Sequence, residues 1–301
     1  MGFNLFIKIF FTYSILITII LSCSCPEKKQ NSIIDEKFVS GKITTEIPIP
    51  YGNDTIIHIE YDSSYIVSTI IKYPSENISI KGTILMLHGW NLPPEEWCEN
   101  SSFCEKALNK GYVLVIPHYG KGNYILEIYP ETILDYRKYP TLEWIKNFQI
   151  PYLRQQFGLF HEKQDNFVAG ISTGARGATL LTYHMPEIFK GVASLSGDFD
   201  ITKMPDEYLY YSYLGYYKDF TERWKKECFA YDCKNYKVPT YIGHGKADNI
   251  SPPDQSIMMY DSLKKIQPDL KVTVHFPEHE KHDYIYWESE TDNILNFFDS
   301  L

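Results

Sequence analysis

The sequence predicts an α/β fold, with a mostly parallel sheet of eight strands and helices on both faces. Short apolar runs alternate along the chain with longer segments of helical character, which is typical of parallel sheets whose crossovers are helices. The six strands of this pattern are 82–87, 112–117, 166–170, 191–196, 238–243 and 270–276. The helical segments are 95–110, 131–157, 174–187, 253–267 and 284–299.

Two earlier runs, 55–61 and 65–71, differ from the others because apolar and polar residues alternate more regularly. A short polar turn separates them. Such alternation is typical of half-buried strands. We therefore predict an antiparallel hairpin at one edge of the sheet, which brings the number of strands to eight.

Ser172 lies between Gly170 and Gly174, where the strand 166–170 turns into the helix 174–187. A turn of this kind holds a serine in a strained conformation and exposes its hydroxyl, and glycine at the flanking positions avoids crowding between strand and helix. The pattern predicts a nucleophilic serine that forms an acyl-enzyme. A Gly/Ser-rich loop without chemistry is the alternative.

A serine of this type needs a carboxylate and then a histidine further along the chain. Asp248 lies just beyond the strand 238–243, where a side chain reaches the carboxyl edge of the sheet and the sites of open α/β sheets are found. Asp254 is the rival acid, but it follows two prolines and is better explained as a helix cap. We predict Asp248 as the acid.

Three histidines lie near the last predicted strand, 270–276. His275 is within the strand and is interpreted as structural. His279 is flanked by two glutamates and is interpreted as a solvated loop residue, although it remains an alternative. His282 directly precedes the terminal helical segment and is the predicted base.

The strand 82–87 ends in His88-Gly89-Trp90, which opens a loop near the predicted nucleophile. We predict the backbone N–H groups of Trp90 and Thr173 as the two donors that stabilise the oxyanion of a tetrahedral intermediate. His88 itself is interpreted as a packed histidine bonded to the loop backbone.

These motifs resemble the α/β-hydrolase superfamily, in its serine esterase and prolyl-oligopeptidase-like branch, to which dienelactone-hydrolase-like proteins belong. The matching pieces are His88-Gly89-Trp90, the run 170–177, the run 244–248 and Lys281-His282-Asp283. The resemblance covers roughly residues 50–301. Trp90 stands where HGGG-type lipases have further glycines, which argues against the hormone-sensitive-lipase-like branch.

The resemblance implies a cap insertion at about 201–237, over the site. Its aromatic side chains either bind a sugar, aryl or acyl group or pack a small core of the cap itself, and we favour the second. They are Tyr208, Tyr210, Tyr211, Tyr213, Tyr216, Tyr217, Phe220 and Trp224.

Residues 1–22 are mostly apolar, with Lys8 ahead of an apolar run too short to span a bilayer comfortably. This pattern predicts a secretory signal peptide. Its end resembles a bacterial lipoprotein box, so we predict lipidation of Cys23, with Cys25 as second candidate and an ordinary cleaved signal or uncleaved anchor as alternatives. We expect a tether over 23–50, a hydrolase domain over 51–301, and a protein lipid-anchored in the cell envelope or secreted.

Export would place the other four cysteines in a compartment where disulfides form. Cys98 and Cys104 form one close pair, and Cys228 and Cys233 form another. Close pairs favour local disulfides in an oxidising compartment. Reduced thiols are the alternative, and no metal site is predicted.

The 301 residues carry a formal charge of −9, and no dense run of lysine or arginine occurs. Nucleic acid is therefore not an expected partner. No phosphate-binding or dinucleotide motif appears in a suitable setting, so no cofactor is predicted.

We predict a serine hydrolase that cleaves small-molecule carboxylic esters. A serine peptidase is the runner-up, and it is less favoured because about 50 residues ahead of the domain leave no room for a β-propeller. A non-catalytic envelope binding protein and an acyl transferase are further alternatives. The sequence indicates no oligomeric state.

Overall fold

The computed structural model describes residues 54–231 and 233–301. The strands are β1 (Asp54–Asp62), β2 (Tyr65–Lys72), β3 (Gly82–Leu87), β4 (Tyr112–Pro117), β5 (Asp165–Ile171), β6 (Gly191–Leu195), β7 (Thr240–Gly243) and β8 (Val272–His275). The helices are α1 (Glu96–Glu99), α2 (Phe103–Asn109), α3 (Leu142–Trp144), α4 (Ile150–Phe157), α5 (Thr173–His184), α6 (Tyr208–Leu214), α7 (Thr221–Lys226), α8 (Asp254–Ile266), α9 (Tyr284–Ser289) and α10 (Thr291–Asp299).

All eight strands form one sheet in the order β1-β2-β4-β3-β5-β6-β7-β8. The hairpin β1–β2 and the pair β2–β4 are antiparallel, and the remaining pairs are parallel. The predicted α/β fold and its edge hairpin are confirmed.

The central strands are buried along their whole length, because helices cover both faces of the sheet. Alternate residues of β3 serve the two faces: Leu85 and Leu87 belong to one apolar core, and Ile84 and Met86 belong to the other. The first core includes side chains of α4, α5 and α8, and the second includes side chains of α2 and α10. The sheet is therefore a rigid platform for the loops at its carboxyl edge.

The predicted continuous helix over 131–157 is wrong in its first part. Only a single 3₁₀ turn, Leu134–Tyr136, precedes α3, and a π-helical turn, Ile145–Gln149, joins α3 to α4. Pro140 disfavours helical backbone at the residue before it. The side chain of Thr141 then accepts a hydrogen bond from the N–H of Trp144 and starts the helix anew.

The segment 201–237 consists of α6, α7 and three 3₁₀ turns, Ile201–Lys203, Phe229–Tyr231 and Cys233–Asn235. Its aromatic side chains pack with residues of the 125–139 loop into a third apolar cluster. Tyr210, Tyr213 and Trp224 are at most 1% exposed, whereas Tyr208 and Tyr216 are more than half exposed. Most of these aromatics therefore build a small core of the insertion.

One of the two predicted disulfides is present, between Cys98 and Cys104. The prediction of a second bond between Cys228 and Cys233 is wrong, because both keep their thiols in the described part of the chain. Cys228 belongs to the third cluster, while Cys233 belongs to the core of the sheet and donates to the carbonyl of Ala230. The 3₁₀ turn Phe229–Tyr231 separates them, so each sulfur faces a different core.

The predicted signal peptide 1–22, the tether 23–50 and the candidate lipidation sites Cys23 and Cys25 lie outside the described residues. Within the described residues, none of the helices is both long and apolar enough to traverse a bilayer.

Candidate active site

Ser172 occupies the turn between β5 and α5 with φ 55° and ψ −129°, a strained backbone for a non-glycine residue. Its N–H donates to the carbonyl of Leu195 on the neighbouring strand at 2.9 Å. A Cβ at Gly170 would lie 2.1 Å from the carbonyl oxygen of Gly174, and one at Gly174 would lie 2.1 Å from that of Leu87. Both glycines are therefore required for the strand and helix to meet at this serine.

Three predicted side chains come together at the carboxyl edge of the sheet. The Oγ of Ser172 lies 3.0 Å from Nε2 of His282, and Nδ1 of His282 lies 2.6 Å from Oδ2 of Asp248. Trp287 packs edge-on against the imidazole at 5.3 Å between ring centres. Asp283 caps the start of α9, so His282 is fixed directly ahead of that helix. An ionised Asp248 accepts from Nδ1–H and leaves Nε2 free to accept the serine proton.

Asp248 has a second histidine partner that the sequence prediction missed. Nε2 of His244 lies 3.1 Å from the same Oδ2 atom, and Nδ1 lies 2.7 Å from Oγ of Ser256. The other carboxylate oxygen, Oδ1, accepts from the N–H groups of Ile250 and Ser251 at 2.8 and 2.9 Å. Both oxygens of Asp248 are thus held, and the carboxylate cannot rotate.

Burial alone would raise the pKa of the Asp248 carboxyl. The hydrogen bonds from His244 and His282 and from the N–H of Ile250 outweigh it and hold that pKa well below its usual range. Asp248 is therefore ionised throughout the neutral pH range.

The predicted oxyanion donors belong to the two segments that meet at the serine. A Cβ at Gly89 would lie 3.1 Å from Cβ of Ser172, which places the loop after β3 directly against the nucleophile. Thr173 is the first residue of α5, and an N–H at this position has no intrahelical partner. Among the described residues, the N–H of Trp90 donates no hydrogen bond to backbone or side chain. Both amides are available to a ligand.

His88 is buried and bonded to the loop backbone. Its Nδ1 lies 2.6 Å from the carbonyl oxygen of Gly89, and its Nε2 accepts from the N–H of Tyr119 at 2.8 Å. Burial lowers the pKa of His88 to about 4, so the ring is neutral at pH 7. This agrees with its interpretation as a packed histidine.

Among the described residues, none of the rival side chains makes a hydrogen bond to the serine. His279 is exposed in the loop before His282, and Asp254 is exposed as the first residue of α8. His275, on β8, bonds through Nδ1 to the buried Glu290 at 2.5 Å and serves the packing of that edge.

A buried ion pair connects the helix that follows Ser172 to the aromatic insertion. Arg176, 2% exposed, donates to the carbonyl of Asn123 at 2.7 Å and to the carboxylate of Glu227 at 3.3 Å. Glu227 also accepts from the N–H of Leu126 and the hydroxyl of Tyr129. Burial raises the pKa of Glu227, and Arg176 opposes that rise. The pair anchors the aromatic insertion to α5.

No group of three or more metal-binding side chains occurs in the described ranges 54–231 and 233–301. The site offers a hydroxyl, an imidazole and a carboxylate in one line of contacts.

Comparisons with known proteins identify a family and similar folds. A sequence model of the family described as the prolyl oligopeptidase family, Peptidase_S9, matches residues 101–301. A search of curated proteins finds no match.

Solved structures share the fold. FphF, a fluorophosphonate-binding serine hydrolase of Staphylococcus aureus, is 17% identical with a TM-score of 0.64, and the match covers 82% of this chain and 99% of that one. An S-formylglutathione hydrolase from Agrobacterium tumefaciens is 15% identical with a TM-score of 0.67, covering 86% and 99%. The acylaminoacyl peptidase of Pyrococcus horikoshii is 17% identical with a TM-score of 0.61, covering 82% and 42%.

Proposed function

Because the chain belongs to the prolyl oligopeptidase family of serine hydrolases, we propose that it cleaves carboxylic esters through an acyl-enzyme intermediate. The observation that carries this proposal is the line of contacts from Ser172 Oγ to His282 and from His282 to Asp248, at 3.0 and 2.6 Å. These distances lie within hydrogen-bond reach, as proton transfer from a serine to its base requires.

In the first step, the Oγ of Ser172 attacks the ester carbonyl carbon while Nε2 of His282 takes the hydroxyl proton. The carbonyl π electrons move to oxygen and form the tetrahedral intermediate. That intermediate collapses, the C–O bond to the alcohol breaks, and His282 returns its proton to the departing oxygen. A water molecule then repeats the sequence on the acyl-serine and releases the acid.

Asp248 acts by orientation and charge. It accepts from Nδ1–H of His282, fixes the tautomer in which Nε2 is the base, and stabilises the imidazolium that forms. The N–H groups of Trp90 and Thr173 hold the oxyanion, and one such donor is typically worth about 3 kcal/mol. This route to ester hydrolysis uses the three side chains, the two N–H groups and a water molecule.

An ester is the substrate that demands least of this site, because an alkoxide leaves more readily than an amide nitrogen, which must be protonated as it departs. A peptidase is the second candidate, and the family match favours it. Rates on a p-nitrophenyl ester and a p-nitroanilide with the same acyl group separate the two. Ester cleavage with no measurable anilide cleavage supports the esterase.

A fluorophosphonate probe tests the serine mechanism. We expect the wild type to be labelled and Ser172→Ala to lose the label. Ser196→Ala is the matched control, because Ser196 directly follows β6 with φ 55° but its hydroxyl is buried and accepts from the indole N–H of Trp287. Folded wild type that is not labelled, or a label that persists in Ser172→Ala, would refute the proposal and favour a non-catalytic binding protein.

We also propose that the protein is exported and lipid-anchored through Cys23. The disulfide between Cys98 and Cys104 supports export, since such bonds persist mainly in oxidising compartments.

A further inference from the structure

The loop after β4 lies beside the loop that carries the predicted oxyanion donor. The N–H of Asn91 donates to the carbonyl of Gly120 at 2.9 Å. The indole Nε1 of Trp90 donates to the hydroxyl of Tyr213 at 3.0 Å, and that hydroxyl in turn donates to the carbonyl of Lys121. These bonds hold Trp90 and Lys121 in one rigid unit next to the nucleophile.

Trp90, Tyr136 and Tyr213 form what we call the aromatic wall. Tyr136 stacks on Tyr213 at 4.8 Å between ring centres, and Trp90 meets Tyr136 edge-on at 6.1 Å. Leu134 shares a 3₁₀ turn with Tyr136 and is 81% exposed. Tyr136 and Tyr213 are 7% and 1% exposed, so the half-buried indole of Trp90 is the ring of the wall that an apolar chain can reach.

The Lys121 ammonium lies over this wall, 5.6 Å from the ring centre of Trp90 and 5.7 Å from that of Tyr136. The residue is half-buried. None of the salt bridges in the described part of the chain includes it. Two aromatic faces attract the cation without neutralising it, so a positive charge stays available beside the site.

The sheet order shows which part of a substrate meets this charge. The leaving oxygen must lie near His282, because that histidine protonates it. His282 follows β8, on one side of β5, whereas Trp90 and Lys121 follow β3 and β4 on the other side. The oxyanion meets the amide of Trp90 on that side, and the remaining substituent of the carbonyl carbon, the acyl part, extends along the same loops towards Lys121.

We propose that Lys121 and the aromatic wall form a subsite for an anionic group at the end of the acyl chain. The inference rests on the proposed ester hydrolysis and names its substrate class: esters whose acyl part is an apolar chain ending in a carboxylate. The methylene chain packs on Trp90, the accessible ring of the wall, and the carboxylate forms an ion pair with Lys121.

The test compares the p-nitrophenyl half ester of adipic acid with p-nitrophenyl hexanoate, which has the same number of acyl carbons and no charge. Spontaneous hydrolysis is subtracted for each. We expect wild type to prefer the adipate, and Lys121→Gln to lower the ratio of kcat/KM for adipate over hexanoate by about tenfold, as for loss of one charged hydrogen bond. Lys121→Arg should restore most of the ratio.

Lys138→Gln is the matched control. Lys138 also places its ammonium over a tyrosine ring, 5.4 Å from the centre of Tyr139, but has no contact with Trp90. We expect it to keep the wild-type ratio within twofold, and we expect the adipate preference to fall at high salt.

The outcomes are distinct. Ser172-dependent hydrolysis of hexanoate with a ratio that Lys121→Gln does not change refutes the subsite and leaves the proposed function intact. Hydrolysis of neither ester by folded wild type refutes both.

Discussion

Replacing Asp248 by asparagine tests its proposed role, which is to fix the tautomer of His282. Asparagine tests this role more sharply than alanine, because it keeps the size of the side chain. Oδ1 of Asp248 accepts from two backbone N–H groups, those of Ile250 and Ser251. An asparagine must place its carbonyl oxygen there, since its amide nitrogen cannot accept. The NH₂ group then occupies the Oδ2 position and faces Nδ1 of His282 and Nε2 of His244.

The size of the effect follows from that orientation. A donor in the Oδ2 position forces Nδ1 of His282 to accept, so the imidazole carries its proton on Nε2, towards Ser172. The histidine then donates to the serine instead of receiving its proton. Loss of the base by this tautomer change typically costs about 10⁴-fold in kcat, or about 5 kcal/mol of barrier. We expect that loss for Asp248→Asn.

The assay is kcat for a p-nitrophenyl ester at neutral pH, with circular dichroism to verify folding. Asp254→Asn is the control, because Asp254 is the nearby carboxylate that is exposed at the start of α8. It should keep kcat within about twofold. A folded Asp248→Asn enzyme that retains more than about a tenth of the wild-type kcat would show that Asp248 does not set the tautomer of His282.

Three further outcomes are expected. Glu227→Ala should lower the free energy of unfolding by about 3–5 kcal/mol and the Tm by about 10 °C, because it strands a buried arginine charge. Glu222→Ala, at an exposed carboxylate of α7, should cost less than about 0.5 kcal/mol in the same thermal melts, and equal losses would contradict the argument. Cys104→Ser should cost about 2 kcal/mol through loss of the short loop closed with Cys98, and reductant should then cause no further loss. Cys23→Ser should move the protein from the membrane to the soluble fraction on cell fractionation, and unchanged membrane association would refute lipidation there.

The strands and the nucleophile turn were predictable because their causes are local. A buried strand needs a continuous apolar run, and the meeting of β5 and α5 needs glycine at positions 170 and 174, where a Cβ would lie about 2 Å from a carbonyl oxygen. Both requirements constrain the residue types at neighbouring positions in the sequence. The order of acid and histidine follows from the order of strands, which those same runs reveal.

His244 belongs to the run 244–248 that resembles the family, but the sequence does not show which groups its two ring nitrogens contact. Its partners are Asp248, on the following loop, and Ser256, on α8, and only folding brings them to the two ring nitrogens. The wrong prediction of a second disulfide has the same cause. Cys228 and Cys233 are near in sequence, but a 3₁₀ turn sends their sulfurs into different cores.

The aromatic insertion, residues 201–237, is fixed to the helix that follows Ser172. Arg176, on the helix that Ser172 begins, is joined to Glu227 at the end of α7, and Glu227 also holds the N–H of Leu126. Moving the insertion away from the site would break a buried ion pair and leave an uncompensated charge, at a cost of several kcal/mol. Substrate selection is therefore expected to depend on a fixed shape of the site and on the few charged groups near it. Within the described residues, Lys121 is the one cation placed over the aromatic wall of Trp90, Tyr136 and Tyr213. Charge on the acyl chain, more than its bulk, should then separate good substrates from poor ones.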